Sequence, residues 1–409
     1  HTRSLCDWSS DVCSSDLPIP CKWVDTNKGD HAHPNIRSRL VCKEIKAKMK
    51  GTSSELGPEE VFSSMPPLEA FMSLIALWVA LFPSGYKLAL FDVSRAHFMG
   101  TAKRELYVEL VAEDLVQYGS DKCGLLRRSM YGTQDASQIW QENYTELLVS
   151  DGFQVGLSNG AVFYKPETNT RAVVHGDDFF VLGRQEDIDK FEKLLRTRYE
   201  LKKLGNLGSD ASDDKSGIYL NRVVQILSDS TRTRPKVTVE PDSRHAQLII
   251  RELGLSKANG TDVPMPKRSA EEQWKDWESP LLSGDAIKQY RSCTMRVAYL
   301  AQDRADLSEA SKTPARFMQQ PDEGAMSLLR RVGRYLIRNP QVRRVFSDTK
   351  LPEKIRVFVD SDHAGCAVTR KSTTGFVSRL GHSTVKHGSN LQSTTALSSG
   401  EAKLYSMVG

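Results

Sequence analysis

The chain has 409 residues, of which 39% are hydrophobic and 26% are charged, and this composition excludes an intrinsically disordered protein. The length predicts two to four domains, and the net charge of +5 allows a polyanionic partner without requiring one. The longest apolar run, 71–82, is too short to cross a bilayer, and no secretory signal is evident. We therefore expect a protein that is neither secreted nor embedded in a membrane.

The seven cysteines are scattered along the chain, at positions 6, 13, 21, 42, 123, 293 and 366. Their odd number and irregular spacing argue against a disulfide framework, and none has the spacing of a zinc knuckle. We interpret them as reduced intracellular thiols and expect the protein in the cytoplasm or the nucleus.

The chain begins with His1 rather than methionine, so we expect a fragment. Residues 1–17 follow neither helical nor strand periodicity, and they resemble translated sequencing-adapter sequence. We predict that they are a non-native or disordered leader outside the fold.

A basic strand is predicted within 36–48, where alternation places Arg37, Arg39 and Lys43 on one face. Such a face can bind phosphates, although a basic strand by itself is more often a solvated surface. Two prolines then open a helix at 68–82, whose apolar sequence predicts burial.

Three aspartates follow apolar strand segments. The next strand ends at Asp92, where a carboxylate is unfavourable unless it is paired or bound to a metal. Further along, two apolar half-strands, 171–174 and 179–182, flank Asp177 and Asp178 at a predicted hairpin turn. Because adjacent carboxylates repel, a divalent cation such as magnesium stabilises them together. The alternative is a solvated Asp-Asp turn.

The second half of the chain is predicted to contain helices followed by strands. Helices are predicted at 186–199, 241–253 and 325–337, a polar loop at 210–216, a charged linker at 264–284, and strands at 355–360, 374–379 and 384–388. The helix at 325–337 carries an arginine tract without interleaved acids, which favours phosphate more than an ordinary solvated face does. Ser398 or Ser399 is expected to cap a last helix.

Several motifs in this order resemble those of one family. The run F-D-V-S-R-A-H-F-M-G resembles the first catalytic motif of the reverse transcriptases of copia-type retrotransposons. L-L-R-R-S-M-Y-G-T-Q-D-A-S-Q-I-W resembles their second motif, and V-V-H-G-D-D-F-F-V-L-G resembles their third. The tail, D-S-D-H-A-G…A-L-S-S-G-E-A, resembles the ribonuclease H domain fused behind that polymerase, so the similarity covers roughly 20–409.

The resemblance implies an α+β fold. It predicts a right-hand polymerase with fingers, a ferredoxin-like palm and a helical thumb and connection, followed by a truncated α/β ribonuclease H-like domain. The implied bounds are a leader at 1–17, fingers and palm at 18–235, thumb and connection at 236–350, and a partial ribonuclease H-like domain at 351–409.

The resemblance also implies roles for individual residues. Asp92, Asp177 and Asp178 match the catalytic, metal-binding carboxylates, which take Mg²⁺ or Mn²⁺. The residues implied near the nucleotide are Arg39, Lys43, the backbone of Arg95 and Ala96, and His97. His97 stands where related enzymes place an aromatic gate against the ribose 2′-hydroxyl. Lys202 or Lys203 is the expected proton donor to pyrophosphate.

Besides His97, which replaces Phe or Tyr, the polymerase motifs depart from the family pattern at four positions. His175 and Gly176 replace an aromatic and an apolar residue before the aspartate pair, and Asp135 and Ser137 stand where Gln and Pro are usual. We expect looser packing under the primer terminus and altered template contacts.

The nuclease motif departs further. Asp360 matches its first carboxylate, but Lys403 stands where the family has its second glutamate. Glu401 cannot replace that glutamate, because two positions along a helix rotate a side chain by about 200°. We predict that ribonuclease H activity is absent and that the remaining acidic ligands lie beyond Gly409.

The favoured interpretation is an RNA-directed DNA polymerase module that performs two-metal nucleotidyl transfer onto a primer 3′ end. Its expected partners are an RNA or DNA template with primer and deoxynucleoside triphosphates, with no membrane partner. Integrase, protease and capsid are expected elsewhere in the polyprotein. One alternative is a degenerate relic that folds and at most binds nucleic acid, and another is a domesticated binding or scaffold protein.

Overall fold

The computed structural model describes residues 6–9, 18–27, 33–44, 56–119, 122–227, 236–347 and 350–408. The chain forms two compact units, one of His1–Pro66 with Ala89–Leu204 and one of Pro67–Leu88 with Gly205–Gly409. The strands are β1 Cys6–Ser9, β2 Cys21–Asn27, β3 Ile36–Cys42, β4 Tyr86–Val93, β5 Tyr107–Glu109, β6 Cys123–Leu126, β7 Gln154–Val155, β8 Val162–Lys165, β9 Thr170–His175, β10 Asp178–Arg184, β11 Leu201–Leu207, β12 Ser216–Tyr219, β13 Arg222–Leu227, β14 Lys236–Glu240, β15 Arg344–Phe346, β16 Ile355–Ser361, β17 Thr373–Leu380 and β18 Ser383–Leu391. The helices are α1 Pro58–Val61, α2 Leu68–Leu81, α3 Ala112–Tyr118, α4 Ala136–Ser150, α5 Gln185–Arg196, α6 Arg244–Glu252, α7 Ala270–Trp277, α8 Gly284–Ala301, α9 Ser308–Ala315, α10 Glu323–Arg338 and α11 Ser399–Val408.

A six-stranded sheet in the order β11-β4-β10-β9-β8-β7 organises the first unit. Along the chain, α4 lies between β4 and β9, and α5 lies between β10 and β11. Aromatic residues dominate the core between sheet and helices. Trp140 of α4, for example, packs edge to face on Tyr144, with ring centroids 5.3 Å apart. In the sheet, β4, which was predicted to end at Asp92, lies beside β10, the second strand of the acidic hairpin.

The helix α5 shows why the local sequence folds as it does. Ile188, Phe191 and Leu195 recur at helical spacing, and all three are buried. Acids occupy its first turn and bases its last turn, which complements the helix dipole. The predicted helix at 186–199 is thus confirmed, with its end three residues earlier than expected.

Two smaller sheets complete the first unit. The strands β2 and β3 pair antiparallel, and a second sheet has the order β1-β6-β5. The prediction that residues 1–17 stay outside the fold is wrong for Cys6–Ser9, which pairs with β6 in the register Cys6↔Leu126. Backbone hydrogen bonds along an open strand edge do not require a periodic side-chain pattern, so periodicity could not reveal this strand.

The second unit has a helical core and two sheets. The helices α6, α8, α9 and α10 enclose buried side chains that include Tyr290, Val297, Leu329, Val332 and Leu336. The predicted amphipathic helix is confirmed as α10, and the Asp322 carboxylate caps it by accepting a hydrogen bond from Ala325 N at 2.7 Å. The sheets have the orders β12-β13-β14-β15 and β16-β17-β18.

The predicted charged linker at 264–284 is not entirely a linker, because it contains α7. Ser269 and Glu272 form a capping box before this helix, with Ser269 N donating to Glu272 Oε2 at 2.8 Å and Glu272 N donating to Ser269 Oγ at 3.1 Å. The Ser-x-x-Glu pattern is by itself a signal for the start of a helix, but the density of charged residues in 264–284 favoured the prediction of a linker. A similar bond identifies Ser398 as the cap of α11, because its Oγ accepts from Glu401 N at 3.1 Å.

Within the part of the chain that the structure describes, no helix combines the length and apolarity needed to cross a membrane.

Candidate active site

The aspartate pair lies at a tight turn between β9 and β10. Asp178 pairs with His175 in the ladder, which leaves Gly176 and Asp177 as the two residues of the turn. Gly176 has φ 63°, the conformation that glycine supplies at the first central position of a hairpin turn. Trp140 Nε1 donates to Gly176 O at 2.7 Å and ties the turn to α4. The turn is therefore held in place from outside the hairpin.

The third carboxylate approaches from the neighbouring strand. Asp92 lies in β4, and the next residue, Val93, donates its N–H to Asp177 O at 2.9 Å. As a result, Asp92, Asp177 and Asp178 each offer a carboxylate oxygen within 4.8 Å of the others. Three hard oxygen donors at this spacing fit a divalent cation such as Mg²⁺ or Mn²⁺. The predicted grouping of these three residues is what the structure shows.

The electrostatics of the cluster agree with a cation site. Burial, followed by repulsion from Asp177 and Asp92, raises the pKa of Asp178 to about 7. Burial and Asp177 also raise the pKa of Asp92, while Lys202, Arg37 and Arg39 oppose that rise. In the absence of a cation, the cluster thus favours holding a proton, and a bound cation would replace it.

The basic strand β3 supplies two of these opposing charges. Arg37 and Arg39 both lower the pKa of Asp92, and the Arg39 guanidinium carbon lies 5.6 Å from the ring centroid of Tyr131. Lys43 follows the end of β3, and its charge lowers the pKa of Cys21. Arg37 shared the predicted basic face, so alternation had already marked it, although no role was assigned to it.

His97 lies in a short 3₁₀ turn, Ala96–Phe98, after β4. Its ring centroid is 4.6 Å from that of Tyr131, and its Nε2 is 3.5 Å from Ser137 Oγ. Burial lowers the pKa of His97 and Arg39 lowers it further, while Asp177 opposes both. His97 Nδ1 is buried, and no residue of the described chain hydrogen-bonds to it. The lowered pKa keeps the imidazole neutral at physiological pH.

The backbone at Arg95 and Ala96 forms the start of this turn. Arg95 adopts the left-handed conformation, with φ 59°, and its guanidinium pairs with Glu200 at 2.5 Å. Ala96 is fully buried. The Arg95 side chain is therefore engaged with Glu200, and Ala96 is enclosed by the protein.

The two lysines after α5 occupy different surroundings. Lys202 faces the cluster closely enough to lower the pKa of Asp92. Lys203 instead binds Glu192 at 3.1 Å and lies over the ring of Phe91. The motif resemblance did not distinguish these neighbours, whereas their places in β11 do, because adjacent residues of a strand point to opposite faces.

Asp135, one of the departures from the family pattern, belongs to a buried ionic group. Arg104 donates to Asp135 through Nε at 2.9 Å and to Glu44 through NH1 at 2.9 Å, and Glu44 also accepts from Gln134 N at 2.8 Å. Arg104 lowers the pKa of the Asp135 carboxyl, although burial opposes this effect. The side chain of Asp135 is thus engaged in an ion pair within the protein.

Asp360 lies in the second unit, at the end of β16. Its Oδ1 is 3.9 Å from Lys403 Nζ of α11, and both side chains are exposed. Lys403 therefore places a positive charge beside Asp360, at the position where the family pattern has a second acid. Among the described residues, three acids converge closely enough to hold a metal ion only at Asp92, Asp177 and Asp178.

Comparison with known proteins identifies one family. The model of the family described as reverse transcriptase (RNA-dependent DNA polymerase) matches residues 9–228. The retrovirus-related Pol polyprotein from transposon RE2 of Arabidopsis thaliana is 23% identical over 401 residues, which is 95% of this chain and 25% of that protein. The corresponding polyprotein from transposon TNT 1-94 of Nicotiana tabacum is 22% identical over 94% of this chain and 28% of its own length.

The chain thus spans about a quarter of the length of these curated relatives. Among solved structures, a foamy viral protease–reverse transcriptase in complex with double-stranded DNA superposes with a TM-score of 0.50 and 11% identity, covering 99% of this chain and 56% of that one. That likeness concerns the fold. The predicted resemblance to copia-type transposon polyproteins is confirmed by the family match and the transposon relatives.

Proposed function

Because this chain belongs to the reverse transcriptase family, we propose that it is the RNA-directed DNA polymerase module of a copia-type retrotransposon polyprotein. The observation that carries the proposal is the group of three carboxylates, Asp92, Asp177 and Asp178, with oxygens within 4.8 Å of one another. Nucleotidyl transfer needs such a group to hold divalent cations, because the cations neutralise the negatively charged triphosphate that the reaction brings to a primer hydroxyl.

The topology around the carboxylates supports a polymerase palm. The strands β4, β9, β10 and β11, with α4 and α5 between them, follow the β-α-β-β-α-β order of a ferredoxin-like unit. We assign this unit to the palm and the β2–β3 pair to the fingers. The helices at 236–350 then correspond to thumb and connection, and 351–409 to a partial ribonuclease H-like domain.

The three aspartates are the proposed ligands of Mg²⁺, or of Mn²⁺ in its place. When bound, such ions supply activation of the primer 3′ oxygen and neutralisation of the triphosphate and leaving group. The chain's own contribution is to hold three carboxylates in place through the turn at Gly176 and the neighbouring strand β4.

Three surrounding groups are proposed to bind the deoxynucleoside triphosphate. Arg39 offers a guanidinium, which suits phosphate oxygens, and the backbone at Arg95 and Ala96 belongs to the same unit. His97 presents a neutral ring toward the sugar, in place of the usual aromatic gate. Lys202 is the proposed proton donor to pyrophosphate, since Lys203 is engaged with Glu192. Lys43, the residue after β3, is proposed as a fourth group near the triphosphate.

For the ribonuclease H-like part we propose a loss of activity. The ammonium of Lys403 lies 3.9 Å from Asp360, so it would repel a divalent cation at that carboxylate. Magnesium-dependent cleavage of an RNA–DNA hybrid by the full chain would contradict this proposal.

Primer extension by the full chain on an RNA template with Mg²⁺ tests the polymerase assignment. The matched control is Asp177→Asn/Asp178→Asn, which removes two charges with little change in volume. Incorporation by the parent and its loss in the variant are expected.

The competing function is a relic that folds and binds nucleic acid without extending a primer. Its specific support is Lys403, a base at a position where the family pattern has an acid. Absence of incorporation by a folded parent that still binds a template–primer duplex would favour the relic and reject the polymerase.

A further inference from the structure

Two cysteine side chains face each other at one end of the β2–β3 pair. Cys21 and Cys42 are direct partners in the antiparallel register, and their Sγ atoms are 3.8 Å apart. Neither residue is in a disulfide. Cys42 is buried, whereas Cys21 is half-buried. No sequence pattern indicated this meeting, because 20 other residues separate the two positions.

The backbone geometry at this pair is the kind that permits a covalent bond. Lys43 N donates to Pro20 O at 2.8 Å, so Pro20 and Lys43 lie at a hydrogen-bonded position of the ladder. Cys42 N donates to Tyr131 O at 2.8 Å and not across to Cys21. Cys21 and Cys42 are therefore a non-hydrogen-bonded pair, in which Cα atoms are about 4.5 Å apart and side chains are closest. That separation falls within the range of about 4.4–6.8 Å found for disulfides.

We propose that Cys21 and Cys42 form an oxidisable dithiol site whose reaction partner is a low-molecular-weight disulfide such as oxidised glutathione. Cys21 is the attacking residue, because it is the more exposed of the two. The hydrogen bond with Cys42 Sγ lowers the pKa of Cys21 and so favours its thiolate, although burial opposes this effect.

The reaction balances in two exchange steps. The Cys21 thiolate attacks one sulfur of glutathione disulfide, which forms a mixed disulfide and releases one glutathione thiolate. Cys42 then loses its proton to the released thiolate or to water and attacks Cys21 Sγ, which releases the second glutathione. Two protein thiols are oxidised, and one glutathione disulfide is reduced to two glutathione molecules.

The bond would fasten the end of the β2–β3 pair that packs closely on the rest of its unit. A Cβ atom added at Gly132 would lie 2.0 Å from Cys42 O, which shows how close the two backbones are. The same strand carries Arg37 and Arg39, so oxidation would fix the strand from which these cations act on Asp92. The dithiol itself does not depend on the proposed polymerase function.

Peptide mapping of the full chain after treatment with oxidised glutathione tests the site. Cys6→Ser/Cys13→Ser serves as the background, because tryptic cleavage after Arg3 and Lys22 otherwise leaves three cysteines in one peptide, 4–22. The expected product joins this peptide to 40–43 and has lost the mass of two hydrogen atoms. Recovery of both thiols in alkylatable form after the treatment would overturn the proposal.

Two further variants assign the roles. In Cys42→Ala, a glutathione adduct is expected to accumulate on Cys21, since no second thiol resolves it. In Cys21→Ala, the buried Cys42 is expected to stay unmodified. Cys123, which is buried and whose pKa is raised by that burial, provides the internal control and should acquire no glutathione in any variant. A persistent adduct on Cys21 in the presence of Cys42 would also reject the proposal.

Discussion

At the scale of single residues, the carboxylate cluster shows how burial and like charge combine. The pKa of Asp178 is raised to about 7, because the residue is partly buried and has Asp177 and Asp92 beside it. A carboxyl whose pKa is raised in the folded state binds a proton there more tightly than in the unfolded chain. The folded protein without metal therefore loses stability when this proton leaves.

The raised pKa of Asp178 predicts how stability depends on pH. Below about pH 4 Asp178 is protonated in both states and its favourable contribution is fully present, and this contribution is lost as the pH rises through about 7. Asp178→Asn should remove the loss. Urea unfolding of the metal-free protein at pH 5 and pH 8 measures this effect. Between these pH values the free energy of unfolding of the parent should fall by on the order of 2 kcal/mol more than that of the variant. This figure is reduced because solvent screens a partly exposed group.

The matched control for this measurement is Asp285→Asn, at an exposed acid in the first turn of α8. It removes one carboxylate outside the cluster and so gives the baseline for a substitution of this kind. Parallel curves for the parent and Asp178→Asn would mean that the cluster does not hold a proton as described.

At the scale of elements, the β9–β10 hairpin depends on one glycine. Gly176 has φ 63°, and a Cβ atom added there would meet no other atom within 4 Å. A side chain at this position thus causes conformational strain without a clash. Gly375 in β17 has equally open space but no positive φ, which makes it a matched control.

We expect Gly176→Ala to lower the free energy of unfolding by about 1 kcal/mol, since a left-handed conformation is strained for alanine. Gly375→Ala should have a smaller effect or stabilise the strand slightly. Denaturant unfolding measures both. An equal effect of the two substitutions would show that the turn does not require its left-handed residue.

At the same scale, Arg104 holds Glu44 and Asp135 together through two ion pairs. Arg104 is paired with two buried carboxylates, whereas Arg95 pairs with Glu200 at the surface. Arg104→Met leaves two carboxylates uncompensated and should cost about 3–5 kcal/mol. Arg95→Met breaks an exposed pair and should cost less than about 1 kcal/mol. Comparable losses measured by urea unfolding would contradict the assigned burial.

At the scale of the whole molecule, each of the two units contains a hydrophobic core. The carboxylate cluster belongs to the first unit, next to a core that includes Phe91 and Phe179, while Tyr290 and Leu329 belong to the helical core of the second. A ligand that binds only the folded state stabilises the unit that contains its site.

Hydrogen exchange with and without Mn²⁺ tests this division. Amides of β4, β9 and β10 should exchange more slowly when the metal is present, because binding at 100 times the dissociation constant adds about 2.7 kcal/mol to the stability of the folded state. Amides of α8 and α10 should exchange at an unchanged rate. A hairpin that gains no protection, or that gains the same protection in Asp177→Asn/Asp178→Asn, would exclude the cluster as the metal site.

The sequence alone was enough to determine the principal elements and the carboxylate group. Apolar periodicity marked α5 and α10, apolar half-strands marked the two sides of the acidic hairpin, and the ordered motifs identified the family. These features can be identified from short stretches of sequence. The period of a helix or strand and the spacing within a motif both depend only on residues that are close in the chain.

Beyond the three carboxylates, which the ordered motifs had already grouped, only the tertiary structure decided which distant side chains meet. It brought Arg37 and Lys202 to Asp92 and left Lys43 beside Cys21. It also placed Cys21 within 3.8 Å of Cys42. These pairings depend on how separate elements pack, and the free energy of a contact depends on a distance in space that no local pattern of residues records.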